Sequence, residues 1–520
     1  MSVIHNPIIR GFNPDPSICR VGEDYYLATS SFEFTPGVPL YHSRDLANWT
    51  HVAYAFPSAR HLDLSEAGTS QGIWAPTLRF IRGRFYVVVP IVTRRPWPDK
   101  FRNYLVSAPS IEGPWSEPLF VANGGIDPDL IEDEDGTVYY SQTSGVRTAP
   151  IDLETGQLRG ELTTLWPGTG DCAPEAPHLY RIGDYVYAML AEGGTGMGHC
   201  VTLARSRSVM GPYEPCPHNP VLTNRGGSGA IQSCGHADLV QTPSGDWFAV
   251  CLGVRDVNGI SHLGRETFVT PVVWREGWPH FGKDKRVEAE VAIAGGAEQA
   301  RSFQLRDDFT NPVAPLFWNG RLGWGEGTVQ RGGGRLLLTP NGRTLDDEAP
   351  MAWLGVRQPD FDCAAEVELD GAALAPGVRA GLTVFLDPAH HYDLRVGRGA
   401  GGLRDEQEPR GASALDAETR SPGGDELVIE LRLRLGLIDV IAARHCCKAG
   451  RIRLGVAATR DRFDFSYDAG AGPVAVGAGD PRFLGTTVAK GYTGTFLACF
   501  AEGAPRPALF SSFVCSNRLW

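Results

Sequence analysis

The chain has 520 residues with a formal net charge of −12; 42% of the residues are hydrophobic and 21% charged. That length exceeds what one core usually serves, so at least two domains are expected. The acidic balance and the lack of a long basic run argue against nucleic acid and anionic membranes as partners, and no run of 18 apolar residues exists to span a bilayer.

Sixty-three glycines, 38 prolines and an aromatic content of 10% point to many short strands joined by tight turns, an all-β chain. The opening MSVIHNPIIRGFNPD has no basic head followed by an apolar stretch, so no signal peptide is expected. Eleven cysteines, an odd number without a CxxC pair, read as reduced thiols in a cytoplasmic protein.

Along the chain one pattern occurs five times. It is DPSICRVGEDYYL at Asp15, APTLRFIRGRFYVV at Ala75, DPDLIEDEDGTVYY at Asp127, APHLYRIGDYVYAML at Ala176 and HADLVQTPSGDWFAV at His236. Each copy places a polar or small residue first, an aliphatic three later, a turn with glycine, and then an aromatic strand, which is a β-hairpin signature. The starts are spaced 60, 52, 49 and 60 residues apart, about the length of one four-stranded propeller blade. Five copies predict a five-bladed β-propeller over residues 1–295. From Ser302 onward the texture changes to alternating strands with Gly-rich turns, such as AAEVELDG, RIRLGVAA and RFDFSYD. Period-two alternation over some 200 residues predicts a β-sandwich domain, 303–520. The segment 397–424 is poor in apolar residues and reads as a loop.

The innermost strand of each blade lines a propeller's channel, so residues at the repeat position gather at one channel end. Those residues are Asp15, Asp127 and His236, with Trp74 and Glu175 one place earlier in their blades. A single Asp-Pro usually marks only a turn. Three acids at equivalent places in different blades suggest one pocket. Hydrolysis of a glycosidic bond needs such a set: an acid for the leaving oxygen and a second carboxylate on the anomeric side. A separation of roughly 6.5–9.5 Å leaves room for water and inverts configuration. A third carboxylate would raise the acid's pKa by repulsion. The chemistry alone does not say which is acid and which is base. Phe32 and Trp74 suit sugar stacking or blade core, Arg265 suits sugar hydroxyls or a carboxylate, and His236 suits a buried hydrogen bond or a channel ion or water. EGGTGMGHC does not run from a strand into a helix as a phosphate loop does, and HCC lacks a second zinc-ligand pair.

These residues lie in motifs that resemble glycoside hydrolase family 43, and specifically its two-domain β-xylosidases. GFNPDPSICRVGEDYYLATSSFEFTPGVPLYHSRDLANW, GIWAPTLRF, GIDPDL, EAPHLY, AEGGT, ARSRSVMGPYE, GHADLVQT and LGRET occur in the family's order, and LRDDFTNP with FWNG looks like the start of its C-terminal sandwich. The resemblance implies a five-bladed propeller followed by a concanavalin-like β-sandwich, and an inverting, exo-acting hydrolase. It implies Asp15 as general base, Glu175 as general acid and Asp127 as the residue that tunes and orients the acid. Phe32, Trp74 and Arg265 would shape the sugar pocket, and Phe496 would reach over its mouth from the sandwich. His236 matches a channel histidine that the family places beside a bound calcium or water; no cofactor is implied for the chemistry itself. The implied substrate is xylobiose or a short β-1,4-xylooligosaccharide, with an α-L-arabinofuranoside as the alternative and a non-catalytic sugar-binding propeller as a further one. A homodimer or homotetramer is implied. After Tyr140 the chain is shorter than the family's pattern and lacks a tryptophan-bearing segment, so the aglycone contacts are left open.

Overall fold

The computed structural model describes residues 2–58, 61–256, 258–293, 298–323, 327–398 and 426–517. The chain divides into two compact units: Met1–Arg301 with Gly491–Thr493, and Ser302–Lys490 with Gly494–Trp520. The first unit runs to Arg301, whereas the sequence reading ends the propeller at residue 295. The return of three residues, Gly491–Thr493, to the first unit was not foreseen.

Among the described residues the first unit holds five antiparallel blade sheets, one for each copy of the repeat; four have four strands, and the second has five because both Gly72–Ile73 and Thr77–Ile81 pair with its next strand. Their innermost strands are Ser17–Val21, Thr77–Ile81, Asp129–Glu132, Glu175–Ile182 and Ile231–Gln241. Each blade forms for the reason the repeat suggests. In blade 2, the β-branched and aromatic run Arg84–Val92 pairs with Thr77–Ile81 across a two-residue turn, Arg82–Gly83. Both turn residues have positive φ, 50° and 78°, the combination that matches strand twist in a tight hairpin. Side chains that face the next blade form apolar seams. One such seam joins Ile131 and Val146 of blade 3 to Leu179, Val186 and Ala188 of blade 4.

The second unit is a sandwich of two antiparallel sheets. One carries Cys363–Asp370, Arg451–Thr459 and Ala508–Ser516 at its centre, and the other Val378–Asp387, His390–Arg398 and Phe496–Gly503. Alternate residues such as Val367, Leu454 and Phe513 of one sheet and Leu382, Leu394 and Leu497 of the other share one fully buried core. Among the described residues the only helical turns are Pro481–Leu484 and Thr486–Ala489, and no helix is long and apolar enough to cross a membrane. The eleven cysteines are all free. The loop expected over 397–424 lies, from 399 onward, outside the described residues.

Candidate active site

The repeat position has a backbone conformation of its own. Asp15, Asp127, Ala176 and His236 all adopt positive φ, at 55°, 51°, 54° and 51°. For residues with a Cβ this left-handed region costs roughly 1–2 kcal/mol each. In blades 1, 3 and 4 the strained residue stands within two residues of the start of the inner strand and is followed by Pro16, Pro128 or Pro177, whereas His236 lies in the middle of Ile231–Gln241. Blade 2 departs from this: Ala75 is not in the positive-φ set, and Trp74 before it supplies the side chain.

These positions converge on a cavity of about 190 Å³. Asp15, Asp127, Glu175, Phe32, Trp74, Arg265 and His236 all line it, so the structure brings together seven of the eight residues singled out from the sequence. The eighth, Phe496, is not among the lining residues. It is fully buried on a strand of the sandwich, with its ring 5.7 Å from that of Trp353. Tyr492, four residues earlier, lines the cavity instead. Its ring lies 5.5 Å from Trp74, edge-on, and 6.2 Å from Phe32, and its N–H donates to Ser70 Oγ at 3.0 Å. Phe32, Trp74 and Tyr492 therefore make one aromatic wall.

Polar contacts hold the carboxylates. Asp15 Oδ1 accepts from Arg265 Nη1 at 2.8 Å, and its Oδ2 accepts from Ser30 Oγ. The Arg265 guanidinium also lies 5.3 Å from the Phe32 ring and 5.7 Å from the Tyr492 ring. Of the two roles considered for this arginine, the structure shows the pairing with a carboxylate, and the side chain also lines the cavity. Asp127 Oδ2 accepts the Ala176 N–H at 3.0 Å, and this fixes the peptide that follows Glu175. Burial, with the Asp15 charge added, pushes the Glu175 carboxyl up to about 7, although Arg265 opposes it. Burial and then the charges of Glu175 and Asp15 push Asp127 well above the usual carboxylate range. Glu175 keeps partial exposure, which a group that protonates a bound ligand needs.

His236 Nδ1 lies 3.8 Å from Asp15 Oδ1, and its ring is 6.1 Å from that of His178. Burial pushes its pKa down to about 3, so it faces the cavity as a neutral imidazole. Deeper in the channel is a layer that the sequence reading missed. Arg79 Nη2 lies 2.8 Å from Asp129 Oδ1, and Arg79 Nη1 donates to Asp238 Oδ2 at 2.8 Å. Asp238 also accepts from Ser17 Oγ at 2.7 Å and Tyr180 Oη at 2.6 Å, while His178 Nδ1 accepts from Arg79 Nη2 at 3.0 Å. A calcium ion takes six to eight oxygen ligands. The carboxylate oxygens near this layer are already engaged, those of Asp129 and Asp238 by the Arg79 guanidinium and Asp15 Oδ1 by Arg265, and the groups near His236 include the His178 imidazole. That set does not fit calcium. One signal for the layer was available: Ser17, Asp129, His178 and Asp238 are polar residues two places beyond the repeat position, on inward-facing strand sites that would otherwise be apolar.

A glycosyl hydrolases family 43 model matches residues 4–279, and a model described as the beta xylosidase C-terminal concanavalin A-like domain matches 306–515. The chain belongs to glycoside hydrolase family 43. Among this family 43 enzyme's relatives is the non-reducing end alpha-L-arabinofuranosidase BoGH43B of Bacteroides ovatus, 36% identical over 96% of this chain and 91% of that one. A xylosidase/arabinosidase of Butyrivibrio fibrisolvens is 40% identical over 76% and 80% of the two chains. The crystal structure of a xylan beta-1,4-xylosidase from Bacillus halodurans C-125 superposes with a TM-score of 0.87 at 30% identity, covering 98% of this chain and 99% of that one. A catalytic propeller with a C-terminal concanavalin-like sandwich, and a carbohydrate substrate, follow from this membership.

Proposed function

We propose that this hydrolase releases D-xylose from the nonreducing ends of xylobiose and short β-1,4-xylooligosaccharides, with inversion of configuration. The observation that carries the reading is the Glu175 carboxyl, pushed up to about 7 in a cavity that it shares with Asp15. The cavity, at about 190 Å³, is smaller than the ~300–1,000 Å³ of sites that enclose drug-sized ligands, which suits one sugar ring and exo action. In this reading Asp15 takes a proton from water as the water oxygen bonds to the anomeric carbon. Glu175 gives its proton to the glycosidic oxygen as the bond from the anomeric carbon to that oxygen breaks. Asp127 supports Glu175 through the Ala176 N–H and through its charge. Phe32, Trp74 and Tyr492 offer ring faces to the sugar's C–H groups.

The test is a proton NMR time course of xylobiose hydrolysis, read before mutarotation. Early α-xylose is expected. Early β-xylose would replace the base with a nucleophile. A second reading, α-L-arabinofuranosidase, is favoured by the Bacteroides ovatus relative, whose similarity runs through almost the whole chain. Relative kcat/KM on aryl β-xyloside and aryl α-L-arabinofuranoside separates the two.

A further inference from the structure

The channel beneath the cavity contains two carboxylates, Asp129 and Asp238, with fully buried side chains. Two such charges are costly unless a cation is fixed between them. Arg79, with a side chain 13% exposed, reaches in from blade 2 and touches the inner strand of each of the other four blades. Its partners are Ser17 at 3.3 Å and Asp129, His178 and Asp238 at 2.8–3.0 Å. Each partner is close in sequence to a cavity residue. Ser17 is two residues beyond Asp15, Asp129 two beyond Asp127, His178 three beyond Glu175, and Asp238 two beyond His236. These short spans lie on or next to the inner strands and are tied across blades by the Leu179 N–H bond to Asp129 Oδ2 at 2.8 Å and the Ile18 N–H bond to Asp238 Oδ2 at 2.9 Å.

We propose that Arg79 is a positioning residue for the hydrolysis, a fixed internal cation that ties the five inner strands together and sets the spacing of Asp15, Asp127 and Glu175 without a divalent metal. The inference rests on the assignment of those three carboxylates to the chemistry. A planar guanidinium forks to two carboxylates and an imidazole at once, whereas a lysine ammonium offers a single point charge. Arg79→Lys keeps the charge but loses the fork. The aromatic wall and Arg265 do not touch Arg79, so substrate binding should survive while the reacting groups drift. A shift of about 1 Å is enough to cost ~100-fold in rate.

The experiment has two arms. In the first, the full-length enzyme is stripped with EDTA, and its kcat and melting temperature are measured with and without millimolar Ca²⁺. Both should be unchanged, because a ligand that binds only the folded state would raise the melting temperature. A rise with Ca²⁺, or loss of kcat after EDTA, overturns the proposal. In the second, Arg79→Lys is expected to lower kcat by roughly 10- to 100-fold with KM within about twofold. A folded R79K enzyme with wild-type kcat, or a loss confined to KM, overturns it. If R79K does not fold, the triple variant R79M/D129N/D238N removes the charges together. It should fold with the same loss of kcat, and wild-type kcat there overturns the proposal. Failure of the three-carboxylate assignment is distinguishable, because Glu175→Ala would then leave kcat intact whatever Arg79 does.

Discussion

Glu175 and Asp127 cannot both ionise cheaply in a cavity that also holds Asp15, so the pair retains a proton at neutral pH. The retained proton is what a general acid needs. Glu175→Ala should therefore cut kcat on xylobiose by about 10³-fold, since a sugar leaving group needs protonation, and by far less on an aryl glycoside whose leaving group departs as an anion. Equal losses on both substrates would remove Glu175 from the acid role. The sign of the pH effect follows from the direction of the shifts. An acid with a raised pKa keeps its proton further up the scale, so activity should persist to a pH of about 7 and then fall as the Glu175 carboxyl loses its proton. Asp127→Asn removes one of the interacting charges and keeps an oxygen for the Ala176 N–H. The alkaline limb of kcat/KM should move to lower pH, and a limb that stays in place would exclude Asp127 from holding the proton.

At the scale of the element, the inner strand head is the device that recurs. In blades 1, 3 and 4 a left-handed residue turns the chain as the ladder begins, and in blade 5 His236 does so within the ladder, which lets one side chain enter the cavity while the strand continues into the blade. Ala176 shows that the conformation is required even where the residue carries no chemistry, because its N–H must meet Asp127. Ala176→Val places a β-branched side chain at a buried site with positive φ. It should cost about 2 kcal/mol of stability, measured by urea unfolding, and lower kcat through the Asp127 contact. The blades and three carboxylates were legible from sequence because their signal is local and repeated: an acid before proline, then a short strand, at a steady interval. Arg79 was not, since it sits two places from Thr77 in a strand whose own repeat position is alanine, and its partners are 50 to 159 residues away in sequence. Tyr492 escaped for a related reason. It lies hundreds of residues from the blades, and a motif-based placement favoured Phe496, which proves to be sandwich core.

For the molecule as a whole, the first unit must join its two ends, and the join builds the site. Ser2–His5 pairs with Glu290–Ile293, and Ile4, Ile8 and Ile9 pack with Val291 and Ile293 between residues of blade 1 and blade 5. The chain then runs beside the third strand of blade 5. The Gly11 N–H donates to Glu266 Oε1 at 2.8 Å, the Asn13 N–H to the Arg265 carbonyl at 3.0 Å, and Thr267 Oγ1 to the Asn13 carbonyl at 2.7 Å. Two residues later Asp15 meets Arg265, 250 residues distant in sequence. Closure of the propeller and assembly of this ion pair are therefore coupled. Ile4 is fully buried in the join, and truncating such a residue costs about 2–5 kcal/mol. That is a large share of a typical stability of about 5–15 kcal/mol. Ile4→Ala should lower the melting temperature markedly, with activity lost over the same temperature range. Val3→Ala, on the same strand but 43% exposed, should change it little. Melting measured on both variants, with activity followed through the transition, decides the point: activity that outlasts the join would show that Asp15 is held by its own blade alone.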